Sequence, residues 1–275
     1  GWFKLDFIDR ALQPGELCKI SIIVTLSKYV SDCMDKEGKF RGLGYIIKTT
    51  MYCAVPTVLV MMQPDFGTAF VFICIMVFIY FIGRISWGYI LTAAGGLAVC
   101  MPLAYYFVLS DSQRERIDVF INPESDLQNS GYNVAQSKIA IGSGQLTGKG
   151  FFSEGTLAQL RFVPERHTDF IFAGIVEGLG FVGGTIIICL FFALIFRWIY
   201  IAMRTKDSFG TCLVVGVAGM FTAHVFENIG MTIGLMPVTG IPLPFISYGG
   251  SNLLTNLIGV GIVENVWMRR QSKKR

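Results

Sequence analysis

Residues Asp169 to Tyr200 read DFIFAGIVEGLGFVGGTIIICLFFALIFRWIY. Charge occurs only at Asp169, Glu177 and Arg197, and the stretch between Glu177 and Arg197 carries none. A helix needs about 20 predominantly apolar residues to cross the hydrocarbon core of a bilayer. Backbone polar groups in lipid have to be satisfied within the segment, so a run of this kind is a helix. Working outward, comparable apolar blocks lie near 14–33, 44–62, 66–83, 87–109, 209–235 and 244–268. The block at 14–33 is the most polar of them, holding Glu16, Lys19 and Lys28. The sequence therefore predicts an all-α membrane protein, a polytopic helical bundle with about seven spans. Residues 1–275 are expected to form a single transmembrane domain, with 111–168 as its one large loop.

Composition agrees. Of 275 residues, 53% are hydrophobic and 15% charged, against about 25% charged in a soluble domain. Mean hydropathy is +0.57. The net charge of +4 does not indicate nucleic acid, because the basic residues cluster beside the spans. Seven cysteines form no CxxC pair, and in apolar runs cysteine behaves as a small hydrophobe. The chain opens on Gly1 with no basic region leading into an apolar run, so no signal peptide is read there. An N-terminally truncated chain is the expectation.

Lys and Arg in short loops set orientation. Lys36, Lys39, Arg41, Arg84, Arg197, Arg204, Lys206 and the Arg269–Arg275 tail alternate onto one side, taken as cytoplasmic. The first residues, the Gln63-Pro64-Asp65 turn, the 111–168 loop and the 236–243 turn then fall outside. Within the long loop, 132–141 (YNVAQSKIAI) is expected to form a short surface helix or turn.

Ionisable residues at membrane depth are costly and usually functional. In Pro164-Glu165-Arg166-His167-Thr168-Asp169, Thr168 or Asp169 can cap the following helix. Alternatively, Asp169 is a general base that stays ionised beside the helix dipole, with Arg166 holding a phosphate. Glu177 lies two helical turns deeper and needs a partner; a structural hydrogen bond is the preferred role. Glu16 and Lys19, at i and i+3, either neutralise each other or wall a polar cavity. Asp65 is read as a cap for the next helix. His224 and Glu227 precede Met236–Gly250, whose prolines and glycines forbid a regular helix. Non-helical backbone at that depth is buried in protein or lines a wet cavity. Other patterns fail: Gly144-Gln-Leu-Thr-Gly148-Lys149-Gly150 departs from a phosphate loop at Ser143 and Gly150. Neither HExxH nor GxSxG occurs, and the two histidines do not point to a His-based zinc site.

Six ordered motifs at span boundaries carry a family resemblance: Gly1-Trp2, Gln13–Lys19 (QPGELCK), Gln63–Ala69 (QPDFGTA), Gln136–Gly144 (QSKIAIGSG), Pro164–Ala173 (PERHTDFIFA) and Gly240–Ser251 (GIPLPFISYGGS). With these the sequence resembles the SEDS family (shape, elongation, division and sporulation) over essentially its whole length, and its rod-elongation branch, the RodA type, more than its division branch. Gly15, Gly178 and Asn252 depart from the usual choices.

The resemblance implies a ten-span fold in the bacterial cytoplasmic membrane, with this chain's N-terminus outside and its C-terminus cytoplasmic. It implies a peptidoglycan glycosyltransferase that joins lipid II into glycan strands during elongation, with undecaprenyl pyrophosphate leaving. Asp169 matches the catalytic acid residue. Trp2, Glu16 and Lys19 match positions near the substrate cavity. Lys138, Arg166 and His167 are expected beside them as substrate-binding residues, and Asp65, Glu177 and Ser247 as structural residues of the cavity. No cofactor is required, although a divalent cation such as Mg would suit the leaving pyrophosphate; the sequence points to no ligands for it. Expected partners are a class B penicillin-binding protein, other membrane proteins of the elongation complex, and membrane lipid. The rival readings are a lipid II flippase, a scaffold for a transpeptidase, and the division or sporulation paralogue.

Overall fold

The computed structural model describes residues 3–5, 10–38, 40, 42–107, 111–121, 130–150 and 167–272. Strands β1 (Phe3–Leu5) and β2 (Arg10–Leu12) pair antiparallel, with Phe3 opposite Leu12. Nine helices follow among the described residues: α1 (Pro14–Glu37), α2 (Leu43–Met61), α3 (Phe66–Ile82), α4 (Trp87–Phe107), α5 (Asp111–Ile121), α6 (Ser130–Ser143), α7 (Ile171–Arg204), α8 (Ser208–Thr232) and α9 (Gly250–Ser272). Each apolar block read from the sequence coincides with a helix. Of the described helices, α2, α7 and α8 are long and apolar enough to cross a membrane, and α3 is a shorter apolar helix.

One boundary differs from the expectation. The block at 244–268 becomes helical only from Gly250. Ile246 and Ser247 both return their N–H groups to Leu243 O (3.3 and 3.0 Å), and Phe245 takes a φ of 62°, so no helix can begin there. The segment 111–168 holds α5 and α6, and α6 covers the helix expected at 132–141.

The chain divides into two compact units. The first comprises residues 1–90, 193–224 and 249–275. Its core stacks Ile23, Leu26 and Val30 of α1, Phe72, Ile75 and Ile79 of α3, Val214, Val217 and Phe221 of α8, and Val263 of α9. These recur at three- and four-residue intervals, so each helix presents one face. Helices in lipid associate through close packing and polar ties rather than hydrophobic gain. A Cβ at Gly216 would come within 3.0 Å of Ile23 and 3.1 Å of Ile79, which shows how closely α8 approaches α1 and α3. Tyr80 ties α3 to α2 through Thr49 (2.7 Å) and Thr50 (2.9 Å). Arg197 lies over the Trp267 ring at 4.9 Å.

The second unit comprises residues 91–192 and 225–248. Phe172, Val176 and Phe191 of α7 pack with Leu243, and Val134 and Ala140 of α6 with Phe170 and Ala173. Ser137 of α6 donates to Thr232 O (2.8 Å) at the end of α8. The expected single span at 169–200 is corrected here: α7 breaks at Gly180, where φ is 71° and ψ −172°. A break leaves backbone donors and acceptors without helical partners, and the 144–150 segment supplies them. Lys149 N donates to Glu177 O (3.0 Å) and Gly150 N to Gly178 O (2.9 Å). In return, Phe181 N donates to Gln145 O (2.7 Å) and Val182 N to Leu146 O (3.1 Å). Gly148 and Gly180 meet backbone to backbone, both at positive φ, with no room for a Cβ on either.

Candidate functional site

His167, Thr168 and Asp169 form a turn that enters α7. Three consecutive carbonyls of this turn are each held from outside it. Tyr248 N donates to His167 O (2.9 Å), Ser247 Oγ to Thr168 O (2.6 Å), and Asn228 Nδ2 to Asp169 O (2.8 Å). Inside the helix, Ala173 N goes to Phe170 O (3.1 Å). The usual i+4 donor to Asp169 O is therefore engaged elsewhere, and a side chain takes its place.

Both side-chain donors are themselves fixed. Ser247 Oγ accepts from Leu243 N (2.8 Å) while it donates to Thr168. Asn228, fully buried on α8, gives its amide to Ile241 O (2.8 Å) as well as to Asp169 O. The 236–248 segment, non-helical as its prolines and glycines foretold, thus borders the turn. A Cβ at Gly240 would sit 3.4 Å from Asp169 Oδ2, and Gly240 has a φ of 74°. Asp169 is half-buried and His167 exposed. A carboxylate just before a helix N-terminus is favoured in its ionised, proton-accepting form. Because α7 begins at Ile171, the helical spacing used to align Asp169 with Glu177 does not extend to Asp169.

Glu177 sits at the break in α7 and is buried. Its Oε1 lies 3.4 Å from both Lys149 Nζ and Ser143 Oγ, which matches the hydrogen-bonding role expected of it. Lys149 entered the sequence reading only as part of the failed phosphate-loop pattern. The glycines around both residues were the available signal, but the pairing is between segments far apart in sequence.

In the first unit, Glu16 and Lys19 pair as their spacing allows, with Oε1 and Nζ 2.6 Å apart. Lys19 Nζ also lies 2.8 Å from His224 Nε2, and all three side chains are buried. The pair is thus tied to α8, a link the local i and i+3 reading did not contain. Asp65 caps α3 through Thr68 N (3.0 Å) and Thr68 Oγ1 (2.9 Å), and accepts from Gln13 Nε2 (3.1 Å). Lys138 is exposed on α6, with its side-chain end laid against Gly234. Trp2 and Arg166 lie outside the described residues.

A largely apolar, all-α chain is the fold class the resemblance implied. A family model described as "Cell cycle protein" (FtsW, RodA, SpoVE) matches residues 1–272. The chain belongs to that family, and it is a multi-pass membrane protein. Peptidoglycan glycosyltransferase MrdB of Escherichia coli K12 is 39% identical over 271 residues, covering 98% of this chain and 71% of that protein. A solved peptidoglycan synthase complex that coordinates polymerization and crosslinking has a chain matching with a TM-score of 0.77 and 28% identity, over 98% of this chain and 73% of its own. The rod shape determining protein RodA of Thermus thermophilus matches with a TM-score of 0.66 and 26% identity, over 98% and 69%.

Proposed function

We infer that this chain is a peptidoglycan glycosyltransferase of the elongation type, with Asp169 as its general base. The protein polymerises lipid II. The acceptor sugar's hydroxyl attacks the anomeric carbon of the donor sugar, the new glycosidic bond forms, and the bond to undecaprenyl pyrophosphate breaks. Asp169 takes the proton released by the hydroxyl. The donor enters already activated by its pyrophosphate, so no nucleotide site is needed.

The observation that carries this reading is the clamped turn. Three carbonyls bonded in succession fix the backbone beneath Asp169, while its side chain keeps partial exposure. A general base has to be held within hydrogen-bond reach of the proton it removes. Arg166, His167 and Lys138 are proposed to hold the phosphates and sugars, and Trp2, Glu16 and Lys19 are proposed as further substrate-binding residues. The seven helices matching the predicted spans are proposed as membrane spans, with Asp169 on the outer face and the α9 end in the cytoplasm. A class B penicillin-binding protein is the proposed partner. Among the described residues no group of three or more His, Cys, Asp or Glu is placed to hold a metal ion, and no step here uses one.

The test is Asp169→Ala in the full-length protein, purified in detergent and supplied with lipid II. Loss of glycan synthesis with the fold retained is expected. Glycan made by Asp169→Ala would remove Asp169 from the mechanism, and a wild-type protein that makes none but moves lipid II across vesicle bilayers would be a flippase.

A further inference from the structure

Asn228 lies in a run, His224-Val-Phe-Glu-Asn-Ile-Gly-Met, whose polar members drew notice only at His224 and Glu227. It is fully buried. Its Nδ2 makes two bonds of 2.8 Å, to Asp169 O and to Ile241 O. Both partners are carbonyls and only accept, so the amide orientation is fixed by chemistry: nitrogen faces the carbonyls. The Oδ1 atom has no hydrogen-bond partner among the described residues. Leaving a buried acceptor unpaired is costly, so this asparagine is placed for its two donors and not for its acceptor. Those donors join the turn carrying Asp169 to the segment carrying Gly240, the backbone that borders the carboxylate.

We propose that Asn228 is a positioning residue for Asp169: it holds the Asp169 carbonyl and the 236–248 segment in register, and so sets where the carboxylate stands relative to the acceptor hydroxyl. This rests on the reading of Asp169 as the general base. Asn228 is buried and acts through the backbone it bonds. Ser247 fixes the preceding carbonyl, so the turn has two independent side-chain anchors. Loss of one shifts the carboxylate without releasing the whole turn.

The experiment uses initial rates of lipid II polymerisation by the full-length protein in detergent, comparing Asn228→Asp, Asn228→Ser and Asp169→Ala. Asn228→Asp keeps the shape and turns acceptor oxygens toward both carbonyls. Asn228→Ser keeps one donor. Displacement of a reacting group by an ångström costs about 100-fold. The expected result is a fall in kcat of about that size for Asn228→Asp, a smaller fall for Asn228→Ser, and unchanged KM in both. A purely structural role would lower the yield of folded protein without altering kcat per folded molecule. Wild-type kcat in folded Asn228→Asp, or a loss confined to KM, overturns the proposal. If Asn228→Asp does not fold, Asn228→Ser decides alone, and wild-type kcat there overturns it. Glycan synthesis by Asp169→Ala sinks the base reading itself; an inactive Asp169→Ala beside fully active Asn228 variants sinks only the role given to Asn228.

Discussion

Replacing Gly148 by alanine tests the break in α7 at its tightest point. Gly148 has a φ of 81°, a left-handed conformation that costs a side-chain-bearing residue roughly 1–2 kcal/mol. Its new Cβ would lie 2.6 Å from Gly180 N, where ordinary contact begins at 3.4 Å, and the obstacle is backbone that cannot rotate away. The 144–150 segment must therefore retreat from α7. Four hydrogen bonds bridge the two, at 2.7 to 3.1 Å. At a net ~0.5–1.5 kcal/mol each, weakening two of them adds about 1–3 kcal/mol, for a total of about 2–5 kcal/mol. The assay is unfolding in mixed micelles, titrated with a denaturing detergent. Gly142→Ala is the internal control: it lies six residues earlier, in the last turn of α6, with nothing within 4 Å of its Cβ. In a helix that change is favourable by roughly 0.5–1 kcal/mol. If Gly148→Ala unfolds at the same midpoint as Gly142→Ala, the 144–150 segment does not stabilise the break and the reasoning fails.

Two further outcomes are expected by the same measurement. Lys19→Met leaves the Glu16 carboxylate buried without its cation and should destabilise by about 3–5 kcal/mol, whereas the double change Lys19→Met with Glu16→Gln should recover most of that; equal losses for single and double variants would show that charge is not what the pair supplies. Asp65→Ala removes the cap of α3 and the bond from Gln13, and should cost about 0.5–2 kcal/mol, with Asp65→Asn retaining at least half of it; an Asp65→Ala protein as stable as wild type would mean the cap is idle.

What the sequence discloses divides by range. The long helices were legible because each is a largely apolar run that stands alone in the chain. The Asp65 cap was legible because its partner, Thr68, is three residues away. The break at Gly180 was not. Gly178, Gly180 and Gly183 sit in an apolar run that reads as one helix, and what makes a break tolerable is the 144–150 segment, some thirty positions earlier. His224 and Glu227 were visible as polar groups in a span, but the partner found for His224, Lys19, belongs to the opposite end of the chain. Asn228 was passed over for the same reason: nothing local marks an amide whose two acceptors, Asp169 O and Ile241 O, are brought together only by folding. The expected contacts of Trp2 and Arg166 fall outside the described residues.

The interruption of α7 also bears on thickness. Thirty-four residues of unbroken helix would measure about 51 Å, far more than the ~30 Å of hydrocarbon in a typical bilayer. Such a rod would have to lean steeply or leave apolar turns standing in water. Divided at Gly180, the portion from Phe181 to Arg204 measures about 36 Å and can traverse the lipid unaided. The short piece from Ile171 to Leu179 is then relieved of spanning anything. Its direction is free to be dictated by chemistry at its own mouth instead of by the membrane's width.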